Sequence, residues 1–336
     1  MFARTQKDEA RGGIGRIFLL ALVLAFIPLL FANTPQVSAN EEAYPDKPIN
    51  LILGFSPGGA SDLAGKIIAD KLSIVLGKPV VSVYKPGAGG VIAASWVRKS
   101  PPDGYNVLLT VSSMFLPPEA KQLDYSHDDF EFLGAFTRVP YFMAVQQNRW
   151  KSLKEFVDEA KKQPGKLTFG TTGTNVGGYF VAQLFSKHAG IQITLVPFKS
   201  CGDAMKGLLG GHIDSYFCVG TGAISERKLV RTLAVAEAKR LEAHPDFPTF
   251  KELGYPVVYG GAHGLAVTKG TPEKIVKKLT AALKTAMDKY SKEIAEKLKI
   301  VDLAANYLGP KEAVQDYKQI YEIERTIIKE TSGAKK

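Results

Sequence analysis

The feature that most constrains this chain is a recurring unit: an apolar run, a glycine-rich loop, then a segment with helical periodicity. Residues 49–55 (INLILGF) read as a buried strand, and Ser56-Pro57-Gly58-Gly59-Ala60-Ser61-Asp62 as a loop. Residues 62–76 then place Leu63, Ile67, Ile68, Leu72 and Val75 on one helical face, until Gly77 and Pro79 stop the helix. A strand over 80–83, a helix over 91–99, a PPDG turn and a strand over 107–111 follow. The unit then recurs. Ser152-Leu153-Lys154-Glu155 is a capping box opening a helix that Pro164-Gly165 ends. A strand over 167–170, a hydroxyl-rich loop and a helix to about His188, closed by Gly190, come next. Strands over 194–198, 213–218 and 231–237 enclose a helix over 202–209, and the last third reads as mainly helical. Such alternation predicts an α/β fold built on mixed, mostly parallel sheets flanked by helices.

At 336 residues, two domains are expected. Residues 141–146 (YFMAVQ) and 263–268 (HGLAVT) read as strands flanking the middle block. A chain that leaves one α/β lobe and later returns to it needs two such crossovers. The expected organisation is therefore a first lobe from 44–143 and 263–336, a second lobe over 144–262, and a cleft between them.

The N-terminus speaks to location. Arg4, Lys7, Arg11 and Arg16 outweigh Asp8 and Glu9, and an uncharged stretch runs from Ile17 to Ala32, interrupted by Pro28. That stretch is short for a bilayer span, which needs about 20 residues. Val37-Ser38-Ala39 supplies the small residues of a cleavage site. Together these describe a secretory signal peptide over 1–39; the alternative is an uncleaved anchor. Cleavage after Ala39 leaves 297 residues and lowers the net charge from +10 to +8. The lysines between 269 and 299 interleave with Ile275, Leu279, Leu283, Met287 and Ile294, as on the solvated face of amphipathic helices. They do not cluster with aromatics, so no nucleic-acid partner is expected.

In open α/β sheets, ligands bind beyond the C-terminal ends of strands. Four loops there have suitable composition. The first holds Phe55, Ser56, Gly58, Gly59, Ala60, Ser61 and Asp62. Its glycines permit close backbone approach, and the following helix points free N–H groups at the loop, which suits an anion such as a carboxylate. Asp62 reads equally as a first-turn acid favourable to the helix dipole or as an organiser of the loop. The second loop carries Ser112 and Ser113; the third, Thr171, Thr172, Gly173, Thr174 and Asn175; the fourth, Phe198 and Lys199. Cys218 ends a strand beside the fourth. Cys201 and Cys218 lie at the ends of strands joined by one helix, so they form either a disulfide or two buried thiols.

Sharper chemistries fit less well. Gly54-Phe55-Ser56-Pro57-Gly58 spells a nucleophile elbow, but Pro57 lacks the N–H that an oxyanion hole needs there. An exported serine hydrolase using Ser56 remains an alternative, with no histidine in a recognisable setting. Ala60-Ser61 replaces the Lys-Ser/Thr of a phosphate loop, and no H-E-x-x-H or C-x-x-C occurs, so neither a nucleotide, a metal nor another cofactor is expected.

Several short motifs in order carry a resemblance. They are Tyr44-Pro45-Asp46-Lys47-Pro48-Ile49, Pro57-Gly58-Gly59-Ala60-Ser61-Asp62, Pro86-Gly87-Ala88-Gly89-Gly90 and Pro102-Asp103-Gly104-Tyr105. Pro164-Gly165-Lys166-Leu167, Val196-Pro197-Phe198-Lys199, Pro245-Asp246-Phe247-Pro248-Thr249, Glu252-Leu253-Gly254 and Gly270-Thr271-Pro272 follow. The chain thereby resembles the solute receptors of tripartite tricarboxylate transporters, the TctC or Bug family. The resemblance implies a monomeric, periplasmic, non-enzymatic binding protein with a type II two-lobed fold. It would close on a small organic anion (a di- or tricarboxylate, an aromatic carboxylate or an amino acid) and deliver it to a two-component membrane permease. A sensing adaptor for a membrane receptor kinase is a further alternative. The resemblance also implies ligand contact through loops 56–62 and 171–175, mainly by backbone N–H groups and hydroxyls. Two departures stand out: Tyr84 replaces the family's usual Asn, and Ser200-Cys201 follow Lys199 where Gly is frequent.

Overall fold

A computed structural model describes residues 44–117, 123–198, 200–221 and 228–333. The expected signal peptide and Lys199 lie outside the described residues. The first lobe begins with β1 (Ile49–Leu53), α1 (Ala60–Leu76), β2 (Val80–Tyr84), α2 (Val91–Arg98), β3 (Asn106–Thr110) and β4 (Phe130–Pro140). The middle block comprises β5 (Phe142–Gln146), α3 (Leu153–Lys162), β6 (Thr168–Thr171), α4 (Gly177–Ala189), β7 (Thr194–Pro197), α5 (Cys201–Leu209), β8 (Ser215–Cys218) and β9 (Val230–Val235). The chain ends with β10 (Gly260–Gly261), β11 (Gly264–Thr268), α6 (Glu273–Lys289), α7 (Ser291–Lys299), β12 (Ala304–Leu308) and α8 (Pro310–Gly333).

These strands form two sheets. One runs β10-β4-β11-β3-β1-β2, with β12 also paired to β4; the other runs β7-β6-β8-β5-β9. β1 is parallel to β2 and β3, while β11 is antiparallel to β3 and β4. In the second sheet β6 is parallel to β7 and β8, and β5 is antiparallel to β8 and β9. β4, β12 and the two-residue β10 are the strands that residue pattern does not announce. β4 alternates poorly, with Gly134, Arg138 and Pro140 along it, and Ala304, Ala305 and Asn306 of β12 have weak strand preference.

Helix ends follow the local signals. Gly77 takes φ +68° and returns its N–H to Ser73 O at 3.0 Å, and Gly190 takes φ +62° after α4. At α3 the Ser152 hydroxyl accepts from Glu155 N at 3.2 Å, but the Glu155 carboxylate takes Lys151 N instead of Ser152 N. The expected capping box is thus half formed, displaced by one residue.

Strand direction places the crossovers. β4 is antiparallel to β11, as β3 is, so β4 ends at the same edge as the C-terminal ends of β1–β3. Phe142, which opens β5, pairs with Cys218 at the C-terminal end of β8. The chain therefore passes between sheets at Tyr141, from one loop-bearing edge to the other. The return path runs alongside: Ala236 N bonds Tyr141 O, Tyr259 N bonds Ala236 O, and Gly260 pairs with Pro140. β5 joins the second sheet two residues before the boundary expected at 144, and β10 joins the first sheet ahead of the return expected at 263. Strand pairing, not the apolar run, fixes where the chain crosses.

Each sheet buries its own core. Ile52, Leu108, Met114, Phe115 and Phe130 pack in the first lobe, and Phe156, Phe169, Phe185, Phe217 and Phe250 in the second. Burial of such a side chain stabilises by about 1.5–3 kcal/mol. α8 ties the two: its Tyr317 belongs to the first cluster, and its Ile320, Ile327 and Ile328 to the second. Beside the crossovers, Arg138 on β4 donates to Glu237 at 3.0 Å and to Asp316 of α8 at 3.1 Å.

Candidate functional site

The first glycine-rich loop is held from below by one carboxylate. Asp62, 1% exposed on the first turn of α1, accepts the Gly58 N–H at 2.7 Å, the Tyr84 hydroxyl at 2.7 Å and Lys66 Nζ at 2.9 Å. Burial alone would raise its pKa; these donors outweigh burial and hold it below the ordinary carboxylate range. The Gly58 N–H is thus already committed, at φ +92°, to shaping the loop. The groups left open come two and three residues later. The first helical bond of α1 runs from Leu63 N to Gly59 O, and Gly59 supplies no capping side chain. The N–H groups of Ala60 and Ser61 precede that bond and point past the helix start. Ser56, Gly58 and Gly59 are exposed, whereas Phe55 packs against the first-lobe core.

Two further loops abut this one. Ser113 Oγ donates to Gly89 O at 2.8 Å, joining the turn after β3 to the Pro86–Gly90 turn after β2. Gly54 and Gly90 approach so closely that a Cβ on Gly54 would stand 2.6 Å from Gly90 Cα. Ser112 and Ser113 are half-buried at this junction. The Ser61 hydroxyl meets His263 Nε2 at 2.9 Å, and His263 Nδ1 meets Thr137 Oγ1 at 2.9 Å.

The corresponding loop of the second sheet is built differently. Thr171 is buried and donates to Gly173 O at 2.8 Å, so its hydroxyl braces the loop and does not face outward. Thr172, Gly173 and Asn175 are half-buried, Thr174 is exposed, and Asn175 takes φ +57°. α4 then starts on Gly177 and Gly178. A Cβ on Gly177 would collide with the Tyr141 hydroxyl, and one on Gly178 would stand 2.6 Å from Phe217 O. Those glycines let the helix start settle onto β8 and the crossover. Val176, at the N-cap of α4, has no side-chain cap, just as Gly59 has none at α1. By contrast, Ser200 caps α5, accepting from Asp203 N at 3.1 Å, so the fourth loop's helix start is already filled.

Cys201 and Cys218 form a disulfide, with Cα atoms 5.8 Å apart. Cys218 is fully buried and Phe198 packs against Gly170 and Gly207, so both side chains act beneath the loop surface. Thr171 and Cys218 end β6 and β8 and are buried, while Phe55 and Phe198 lie beyond the ends of β1 and β7 and are half-buried.

The family model described as "Tripartite tricarboxylate transporter family receptor" matches residues 65–332. The chain belongs to that family. The "UPF0065 protein in gbd 5'region" of Cupriavidus necator is 31% identical, over 97% of this chain and 97% of its own length. A TctC solute binding protein from Polaromonas is 26% identical with a TM-score of 0.73, over 85% of this chain and 99% of that one. MatC from Rhodopseudomonas palustris, solved with bound malate, is 25% identical with a TM-score of 0.73, over 85% of this chain and 100% of that one. The receptor family's two-lobed periplasmic-binding fold is therefore the fold of this chain.

One cavity lies apart from these loops. It encloses about 580 Å³ between residues 237–244, α7, β12 and Arg138. Its charged walls are largely paired already: Arg138 with Glu237 and Asp316, His244 with Asp302 at 2.8 Å, and Arg240 with Glu252. Tyr84, Thr137, Tyr141 and His263 support the loops from other elements, and sequence spacing gave no signal for them; only strand pairing brings them in.

Proposed function

We propose that the chain is an exported receptor which binds a small organic carboxylate between its lobes and delivers it to a two-component permease. The lobes in this reading meet at the crossovers, near Tyr141 on the way out and between Tyr259 and Gly260 on the return, and close about them. One observation carries the reading: two helices without side-chain caps, α1 and α4, start at the loop-bearing edges that the crossovers join. A carboxylate would accept from the Ala60 and Ser61 N–H groups and the Thr172 and Thr174 hydroxyls, stabilising the closed form by mass action. Malate in MatC supports this ligand class. A hydrolase reading has no comparable support, since the histidine nearest the first loop bonds Ser61 and not Ser56.

The test is titration calorimetry after a thermal-shift screen of organic acids, amino acids and neutral solutes. Gly59→Asp and Thr172→Asp each place a carboxylate against the bound anion. Like charges in contact cost several kcal/mol, so affinity should fall at least about a hundredfold in each. Unchanged affinity in both variants refutes the placement. Hits confined to neutral solutes refute the carboxylate class.

A further inference from the structure

His263 lies just before β11, 2% exposed, and each ring nitrogen has one partner: Nε2 meets Ser61 Oγ and Nδ1 meets Thr137 Oγ1, both at 2.9 Å. Thr137 is fully buried, and its Oγ1 also accepts the backbone N–H of His263 at 3.0 Å. A hydroxyl has a single hydrogen. Among the described residues, the one acceptor in reach of the Thr137 hydrogen is Nδ1. The opposite tautomer would leave that hydrogen buried and unpaired, which native interiors avoid. Nδ1 therefore accepts, Nε2 carries the ring hydrogen, and Nε2–H points at Ser61 Oγ. The ring stays neutral, because burial lowers its pKa to about 4.

The consequence falls on Ser61. Its oxygen already receives a hydrogen from His263, and its own hydrogen has no other partner among the described residues. That hydrogen is left for an acceptor other than the histidine, on the same turn whose Ala60 and Ser61 N–H groups precede the first helical bond. We propose that His263 is a positioning residue, set by Thr137, which makes the Ser61 hydroxyl an obligate donor, so that the loop selects ligand groups that can only accept hydrogen bonds. The inference rests on the receptor reading above and deepens it. A carboxylate offers two acceptor oxygens to the Ala60 N–H, the Ser61 N–H and the Ser61 hydroxyl, whereas a primary amide offers one oxygen and a protonated amine none. The same tautomer removes Ser61 from nucleophilic chemistry, since the imidazole gives a hydrogen to the oxygen and cannot take one from it.

The ligand-free protein provides the first test. Long-range nitrogen–proton NMR of 15N-histidine-labelled protein should show His263 bare at Nδ1 and protonated at Nε2 from pH 6 to 8; the Nδ1–H form overturns the proposal. The second test is calorimetry with malate and its diamide. Ser61→Ala and His263→Leu should each weaken malate binding about tenfold and erode the preference for malate over the diamide. The double variant should lose no more than either single one. His263→Gln, whose amide can donate from the Nε2 position, should recover most of the loss. Thr137→Val, nearly isosteric, should reproduce the lost preference if His263→Leu does not fold. Additive losses, or a preference unchanged in Ser61→Ala, overturn the proposal. If wild-type protein binds no carboxylate, the receptor reading fails, while the tautomer measurement still decides whether His263 directs the Ser61 hydroxyl.

Discussion

One buried carboxyl group lies behind the first loop and another behind the crossover at Tyr141, and they differ in charge: the first is ionised and the second neutral. Asp62, under the first loop, accepts from Gly58 N, Tyr84 and Lys66 and is held ionised. Glu324 on α8 accepts from Tyr259 at 2.7 Å, and its Oε2 has no hydrogen-bond partner. Tyr259 packs on the Tyr141 ring at 5.7 Å, and the Tyr141 hydroxyl sits against Gly177, where α4 starts. Burial with one donor raises Glu324 from 4.5 to about 8. Donor count separates the cases: three donors, one of them cationic, overcome desolvation, and a single phenol does not. A charged organiser suits a loop that must keep an exposed shape. A neutral one suits the floor of a crossover.

The largest expected effect comes from this difference. The folded protein keeps a proton on Glu324 that the unfolded chain releases near pH 4.5, so between pH 4.5 and about 8 the folded state binds more protons. Stability contributed by this group is full below pH 4.5 and declines as pH rises, by about 1.4 kcal/mol per unit. Asp62 acts in the opposite sense: its contribution is present above the ordinary carboxylate range and is lost as pH falls through its lowered pKa. Glu324→Gln keeps the shape without the ionisation and should remove the decline between pH 5 and 8. Denaturant unfolding at several pH values reads this directly. A wild-type stability that is flat over that range would show Glu324 ionised.

The fourth loop has a covalent brace that the first lacks. The Cys201–Cys218 disulfide closes 17 residues of sequence separation and joins the start of α5 to the end of β8. A loop of that length stabilises by about 3 kcal/mol through the unfolded state. Replacing both cysteines by alanine should lower unfolding free energy by about that amount. It should leave the Asp62-braced loop intact, with amide exchange at Gly58 unchanged. Equal loosening of both loops would mean that the lobes do not unfold as separable units.

Much of this architecture is legible in the residues because local signals and tertiary structure agree. The 49–76 strand-loop-helix unit and the αL glycines at 77 and 190 have physical causes within a few residues. β4 and β12 were not legible, because their strand character comes from neighbours: β4 is sandwiched between β11 and β12. The site divides the same way. Exposed Ser56, Gly58 and Gly59 follow from composition, whereas inward-turned Thr171 and Cys218 depend on strand phase. Tyr84, Tyr141 and His263 sit 22 or more residues from the groups they support, and no local pattern links residues so far apart.

Tyr84 gives the smallest effect and the sharpest comparison, since it reaches the first loop's organiser from β2. Its hydroxyl donates to Asp62 Oδ1 while Gly58 N and Lys66 share Oδ2. Tyr84→Phe removes one donor to a charged acceptor and leaves ring packing in place. The cost should be about 1.5 kcal/mol, near the low end for hydrogen bonds to ions. The Asp62 carboxyl should also titrate at a higher pH, because one of the bonds favouring its ionised form is gone. NMR titration of the Asp62 carboxyl in both proteins checks the direction. If Tyr84→Phe leaves that titration unmoved, the Gly58 and Lys66 bonds suffice, and the first loop depends on fewer donors than its contrast with Glu324 requires.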